Sequence, residues 1–375
     1  MKVLVVLPEP PYAEGGAAGR CAAGLLLGLH ADERIELSAV AAQLPRAAKG
    51  DPPAGVRVEV VPVSGQDRLE AWSDLLRRPL GYLSRGEFGE RVRQEAADAD
   101  VLHLDQVHTA WCNLGSRVPS LVHLHFLVHL DQPRLPRNPR AAAWRYGVGA
   151  AQRHAARRHR FLVANSEAVA GELRREAPGA DVTVVPLVLD PGHYERSLDG
   201  GDPIVGFIGT GGWPMTAAAA HRLVDRVWPL VRREVPNARL RVAGRRMDTL
   251  GLRAGDGVEI QGEVSSGAEF MRDVSVLLFP PLGGSGTKVK VLEALASGLP
   301  VVTNAVGTEG IARNDGVVVA EEDDVLARAA VSILRDPEER RQRGEAGLRA
   351  FEDRHTPAAA ARMLFDLYSR MANSG

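Results

Sequence analysis

The chain has 375 residues, of which 45% are hydrophobic and 25% charged, with a formal net charge of -1. That length suits two domains and ordinary globular packing, and the near-neutral balance argues against nucleic acid as the main partner. Cys21 and Cys112 stand far apart with no CxxC companion, which argues against a disulfide framework and for a reducing, cytoplasmic setting; no run approaches the roughly 18 apolar residues that a membrane span needs.

The opening MKVLVVLPEPPY reads as a first strand, Val3–Leu7, rather than a signal peptide, because its apolar run is short and meets proline. A Pro- and Gly-rich loop, Pro8–Gly19, leads into a helix at about Arg20–Leu29. Gly15 and Gly16 sit where a first strand-to-helix turn meets a helix N-terminus, a place that open α/β sheets use for ligands, though the pair also suits a plain turn. Strands are expected at Ile35–Val40 and Val56–Val61, with a Pro/Ala-rich loop, Gln43–Gly55, between them. Asp67–Ala97 reads as helical but broken near Pro79–Gly81. Val101–Leu104 is a strand ending in His103 and Asp105, with His108 beyond, and these histidines read first as satisfied structural groups.

The next predicted strand runs from Ser120 to His129, and alternation puts His123 and His125 on one face. No carboxylate or cysteine at ligand spacing accompanies His123, His125 and His129, so they make no zinc motif, and no metal site is expected. The region Arg134–Arg160 interleaves many arginines with Trp144 and Tyr146; it suits a solvated helix and peripheral contact with a membrane surface equally. Strands at Phe161–Asn165 and Val182–Pro186 flank a helix at Ala168–Glu176, and Asp190–Pro203, rich in Asp, Gly and Ser, is the expected interdomain linker.

The alternation then restarts. Ile204–Ile208 runs into a glycine loop, Gly209, Gly211 and Gly212, whose backbone can cradle phosphate, and then into a helix at Ala217–Val231. Strand Arg239–Ala243 leads through Gly244 to Arg245, and Val258–Ile260 and Gly262–Val264 follow. Pro280–Asn304, PPLGGSGTKVKVLEALASGLPVVTN, carries the most chemistry. Gly283, Gly284 and Gly286 give a loop that can take positive φ and admit another molecule, after a buried strand at Val274–Phe279. Ser285 or Thr287 is placed to cap the next helix, whose free N–H groups suit an anion. Glu293 lies seven residues after Gly286, two helical turns, on the loop's side with Lys290 between them, whereas Lys288 points to nearly the opposite face. A carboxylate there can accept hydrogen bonds from a ribose or sugar hydroxyl while a phosphate sits at the helix tip. An ordinary βαβ unit with a solvated glutamate has the same spacing. Strands at Val301–Thr303 and Val317–Val319 and helices at Asp323–Leu334, from Pro337 onward and at about Pro357–Met371 complete the chain.

The Pro280–Asn304 stretch resembles the donor-binding signature of retaining, nucleotide-sugar-dependent glycosyltransferases of family 4, in the subgroup that reads G-S-G-T-(K/R)-x-K-x-L-E-A-(M/L)-A-x-G-x-P-V-V. The resemblance implies the GT-B α/β fold, two Rossmann-like doubly wound domains facing a central cleft. Residues 1–190 would form the acceptor domain, residues 191–356 the nucleotide-sugar domain, and a last helix in 357–375 would cross back to the first. It implies a metal-independent, retaining transferase of class EC 2.4 that moves a sugar from a nucleotide diphosphosugar to a hydroxyl of a glycan, a lipid-linked sugar or a small natural product, with no cofactor. By the same resemblance the donor pyrophosphate lies on Gly284, Ser285, Gly286 and Thr287, near Gly209, Gly211, Gly212 and Arg245. Glu293 holds the ribose, Lys290 neutralises the departing diphosphate and His125 hydrogen-bonds the donor sugar, while Gly15, Gly16 and Arg20 approach phosphate and acceptor. No side chain stands out as a nucleophile, which fits same-face attack with the leaving phosphate taking the acceptor proton.

Four departures from the family pattern stand out. Ser285 replaces the first of two glutamates, which leaves sugar contacts to the backbone amides of Gly284–Thr287. Phe126 follows His125 where Asn or Asp is common, Thr216 replaces an asparagine at the cap of its helix, and an Arg/Lys pair in the Gly209 loop is missing. Two alternatives stay open: a non-catalytic sugar-nucleotide binder, which Ser285, Phe126 and the missing pair allow, and a nucleotide-sugar epimerase of the same architecture, against which Ser285 in place of a glutamate argues. The sequence leaves the oligomeric state open.

Overall fold

The computed structural model describes residues 1–45, 50–63, 77–113, 115–134, 136–196 and 202–373; parts of the predicted loop 43–55, the helical stretch 67–97 and the linker 190–203 fall outside them. The chain divides into two compact units, Met1–Asp190 together with Thr356–Gly375, and Pro191–His355. Each is a doubly wound parallel sheet.

In the first unit the strands are β1 (Lys2–Leu7), β2 (Glu36–Gln43), β3 (Val58–Pro62), β4 (Val101–Asp105), β5 (Ser120–Leu124), β6 (Phe161–Ala164) and β7 (Asp181–Val184), in the order β3-β2-β1-β4-β5-β6-β7. The central strands are near-continuous apolar runs because helices cover both faces. Leu102, Leu104, Val122 and Leu124 face one core. Val3, Val5, Val101 and Leu121 face the other, which is closed by helix Ala17–Ala31 and the C-terminal helix Pro357–Ala372. Those two helices touch at Gly28, where a Cβ would stand 2.1 Å from the Pro357 carbonyl oxygen, so no larger residue fits. The strand order reverses between β1 and β4, and ligands of open α/β sheets bind at such reversals, beyond the carboxyl ends of the strands.

The second unit carries β8 (Ile204–Ile208), β9 (Arg239–Ala243), β10 (Val258–Ile260), β11 (Val276–Phe279), β12 (Val301–Thr303) and β13 (Val317–Val319), in the order β10-β9-β8-β11-β12-β13. Its reversal lies between β8 and β11, the two strands that feed glycine loops.

Three local expectations need correction. The strand predicted over Ser120–His129 ends at Leu124, because its neighbours run out of ladder at Asp105 and Ala164, and Val128–Asp131 turns into helix, taking His129 off the sheet. The helix predicted at Ala217–Val231 starts earlier, at Pro214, with Trp213 at the N-cap, so Thr216 is not the cap. It also widens to a π-turn at Leu223–Val227 just before Pro229, whose missing N–H interrupts the regular ladder. Among the described residues no helix is long and apolar enough to cross a membrane.

Candidate active site

In the loop after β11, Gly284 and Gly286 have φ of 119° and 72°, values that only glycine adopts without strain. This twist delays the helix, which spans Val289–Ala296 with Lys288 at the N-cap, so the cap falls on neither Ser285 nor Thr287. The delay also overturns the expected direction of Lys288. Lying outside the regular helix, it donates to the Gly286 carbonyl at 2.6 Å and stands 3.9 Å from Glu309 Oε2. Glu309 comes from the loop after β12, and its Oε1 accepts from the Gly286 N–H at 2.7 Å. A carboxylate therefore occupies a backbone donor of the kind an anion would use.

Glu293 is not solvated. It is 5% exposed and accepts a hydrogen bond from the Tyr194 phenol at 3.1 Å. Lys290 lies one turn earlier with Nζ 4.3 Å from the centre of the Phe279 ring. Burial lowers its pKa to about 8, Glu293 opposing the shift and Lys288 adding to it. A Cβ at Gly209 would stand 3.4 Å from this Nζ, so the ammonium sits against the loop after β8. Among the described residues no carboxylate or carbonyl holds it by an ion pair or hydrogen bond. Arg245, expected beside it, pairs instead with Glu263 at 3.2 Å, both side chains being exposed. Its neighbour Arg246, at φ 63°, lies against the glycine loop, where a Cβ at Gly212 would stand 3.5 Å from its Nη1. The site thus gathers Gly209–Gly212, Gly284–Thr287, Lys290 and Glu293, takes Glu309 from the Gly307–Gly310 loop, and adds Tyr194 and Arg246, which no sequence spacing singled out.

In the first unit, β4 and β5 deliver a second polar cluster near the β1/β4 reversal. Asp105 is buried, and its Oδ1 accepts from His125 Nε2 at 2.9 Å. Burial would raise the Asp105 pKa, but the charge and hydrogen bond of His125, with His123 and His103, hold it at about 2. Burial pushes His103 down to about 4 and His123 well below its ordinary value. An ionised carboxylate therefore fixes His125 from behind among uncharged imidazoles. Arg20 folds back, its Nη1 donating to the Gly15 carbonyl at 2.5 Å, so it braces the glycine turn. Gly16 is the N-cap of helix Ala17–Ala31. Phe126 packs against the apolar core under the opposite sheet face.

Residues 19–193 match the family model described as Glycosyltransferase Family 4, and residues 202–336 match the one described as Glycosyl transferases group 1. Sucrose-phosphate synthase from Thermosynechococcus elongatus is 16% identical, with a TM-score of 0.72 over 100% of both chains. HepE from Anabaena, solved in complex with UDP-glucose, is 15% identical with a TM-score of 0.66 over 98% of this chain and 99% of that one. A trehalose-6-phosphate synthase, OtsA, is 11% identical with a TM-score of 0.67 over 98% and 99%. At such identities the likeness shows the fold. No curated protein matches the sequence significantly. The shared architecture makes this a protein of the GT-B class. With a glycosyltransferase domain model matched largely within each unit, the chain is a GT-B glycosyltransferase that moves a sugar from a nucleotide sugar.

Proposed function

We propose that the chain transfers a sugar from a nucleotide diphosphosugar to a hydroxyl acceptor with retention at the anomeric carbon and without a metal ion at the diphosphate. The observation that carries this reading is the buried Glu293 with Lys290 behind the left-handed glycine loop, at the strand reversal of the second unit. The diphosphate would rest on the amides of Gly284–Thr287 and on the Lys290 ammonium, a preorganised stabilisation of the charge that develops on the leaving group. Glu293, oriented by Tyr194, would hold the ribose hydroxyls. The UDP-glucose of HepE supports a donor of this chemistry. The acceptor oxygen would bond to the anomeric carbon on the face from which the phosphate departs, and a phosphate oxygen would take the acceptor proton. His125, held by Asp105, would orient a sugar hydroxyl rather than act as base. Trp144 and Tyr146, exposed on the arginine-rich helix Pro139–Arg158, support peripheral membrane contact and hence a lipid-linked acceptor.

A thermal-shift screen against UDP, GDP, ADP, TDP and their sugars should raise Tm with one nucleotide, since a ligand of the native state stabilises it. Glu293→Gln loses charge-assisted hydrogen bonds worth about 1.5–3 kcal/mol, which is roughly a 10- to 150-fold loss in kcat/KM for donor. An unchanged kcat and donor KM would remove Glu293 from the site, and a product of inverted anomeric configuration would overturn retention.

A further inference from the structure

The buried cluster on β4 and β5 contains more chemistry than orienting His125 requires. Register pairs Asp105 with His123, and alternation puts His103, Asp105 and His123 on the sheet face covered by helix Pro357–Ala372. All three are buried, and their ligating atoms lie within 4.8 Å of one another. His103 Nε2, Asp105 Oδ2 and both ring nitrogens of His123 are buried without a hydrogen-bond partner. Each such orphan costs about 1–3 kcal/mol, and folded proteins carry few. Four in one cluster call for a shared occupant.

The contacts these side chains do make leave their other ligating atoms open. His103 Nδ1 lies 2.6 Å from the Tyr368 hydroxyl; with Nδ1–H donating there, Nε2 keeps its lone pair for the cluster. Asp105 Oδ1 is taken by His125, which leaves Oδ2. Outer atoms tied down and inner atoms left open is how metal ligands are oriented by the residues behind them. A cavity of about 10 Å³, lined by Asp105, His123, His125 and Cys21 among others, adjoins the cluster and has room for one ion or water.

We propose that His103, Asp105 and His123 bind one divalent first-row metal ion, Zn²⁺ suiting two imidazoles and a carboxylate, and that the ion pins β4 and β5 beneath the C-terminal helix. The ion's role is structural. Its ligands belong to the first unit and the glycine loops assigned to the donor to the second, so the site stands independently of the transfer reading. A second group, His129, Glu172 and Glu176, also clusters, but Glu172 already pairs with His129 and Arg175.

The test strips the full-length protein with a chelator and titrates it with Zn²⁺ against a chromophoric competitor, with metal content measured by mass spectrometry. One Zn²⁺ per chain and a raised Tm are expected. Asp105→Asn and His123→Gln should abolish binding, His129→Ala should leave it intact, and Tyr368→Phe should weaken it about 10- to 100-fold. Failure of the wild type to bind, retention of binding by folded His123→Gln, or its loss in His129→Ala would overturn the proposal. Should the core variants not fold, Co²⁺ added to the wild type decides: a spectrum of low-coordinate, nitrogen-ligated cobalt supports the site, and that of the aqua ion overturns it.

Discussion

Replacing Lys290 by methionine separates binding from stability, because the structure gives its charge opposite effects on the two. Methionine keeps an unbranched stem against Phe279 and Gly209 but removes the ammonium. The fall in pKa from 10.5 to about 8 means that the folded state disfavours the charged form, by roughly 3 kcal/mol at about 1.36 kcal/mol per pH unit. This is a ceiling, since the residue is only partly buried. At about 2–4 °C per kcal/mol for a unit of this size, Lys290→Met should melt several degrees higher than wild type without ligand at pH 7. The sign follows from linkage. The unfolded chain holds this proton up to about pH 10.5 and the folded chain only to about 8, so wild-type stability rises with pH through that window and the gap should close there. The same variant should lose about 1.5–3 kcal/mol of nucleoside diphosphate affinity, roughly 10- to 150-fold. Differential scanning fluorimetry from pH 7 to 10.5, with and without the nucleotide found in the screen, reads both effects. A variant that binds as wild type does, or a Tm gap that ignores pH, would refute the argument.

Other outcomes follow from single contacts. Glu309→Gln removes a negative charge beside the amide proposed for phosphate, an effect of about 1 kcal/mol near the loop; calorimetry should show nucleoside diphosphate binding about fivefold tighter, and equal or weaker binding would show that the carboxylate does not compete. His108 and His159 are each held at about 4 by burial, so the unfolded chain takes up their protons from about pH 6.5 downward and the folded chain only near 4. These two groups alone should therefore lower stability by up to about 2.7 kcal/mol per pH unit between those values, and a flat Tm from pH 7 to 4.5 by circular dichroism would contradict it. Gly28→Ala drives a Cβ into the Pro357 carbonyl, and chemical denaturation should show a loss of about 1–3 kcal/mol; wild-type stability would mean that the helix contact is not tight.

The alternation of strands and helices was legible because strands buried on both faces, such as Val276–Phe279, must be apolar without a break. Glu293 stood out by its spacing of seven from Gly286, although the regular helix begins only at Val289, so part of that spacing runs through loop and its side is set by the loop as well as by helical repeat. What determines the environment of that carboxylate is not local. The Tyr194 hydroxyl reaches it from 99 positions away, and Glu309 meets Gly286 from 23 positions away. The reversal of Lys288 and the exchange of Arg245 for Arg246 both arise at residues beside positive φ, where a single backbone rotation re-aims a side chain without changing any spacing. The histidines of β5 show the limit most plainly. Along the strand, His123 and His125 have no carboxylate near them, and a metal reading fails. Across the ladder, Asp105 lies opposite His123 and supplies one, with His103 two residues before it on the same face. Chemistry set along one element can be read from spacing, whereas chemistry set across a sheet needs the register, and in this chain the most unusual charge environment is of the second kind.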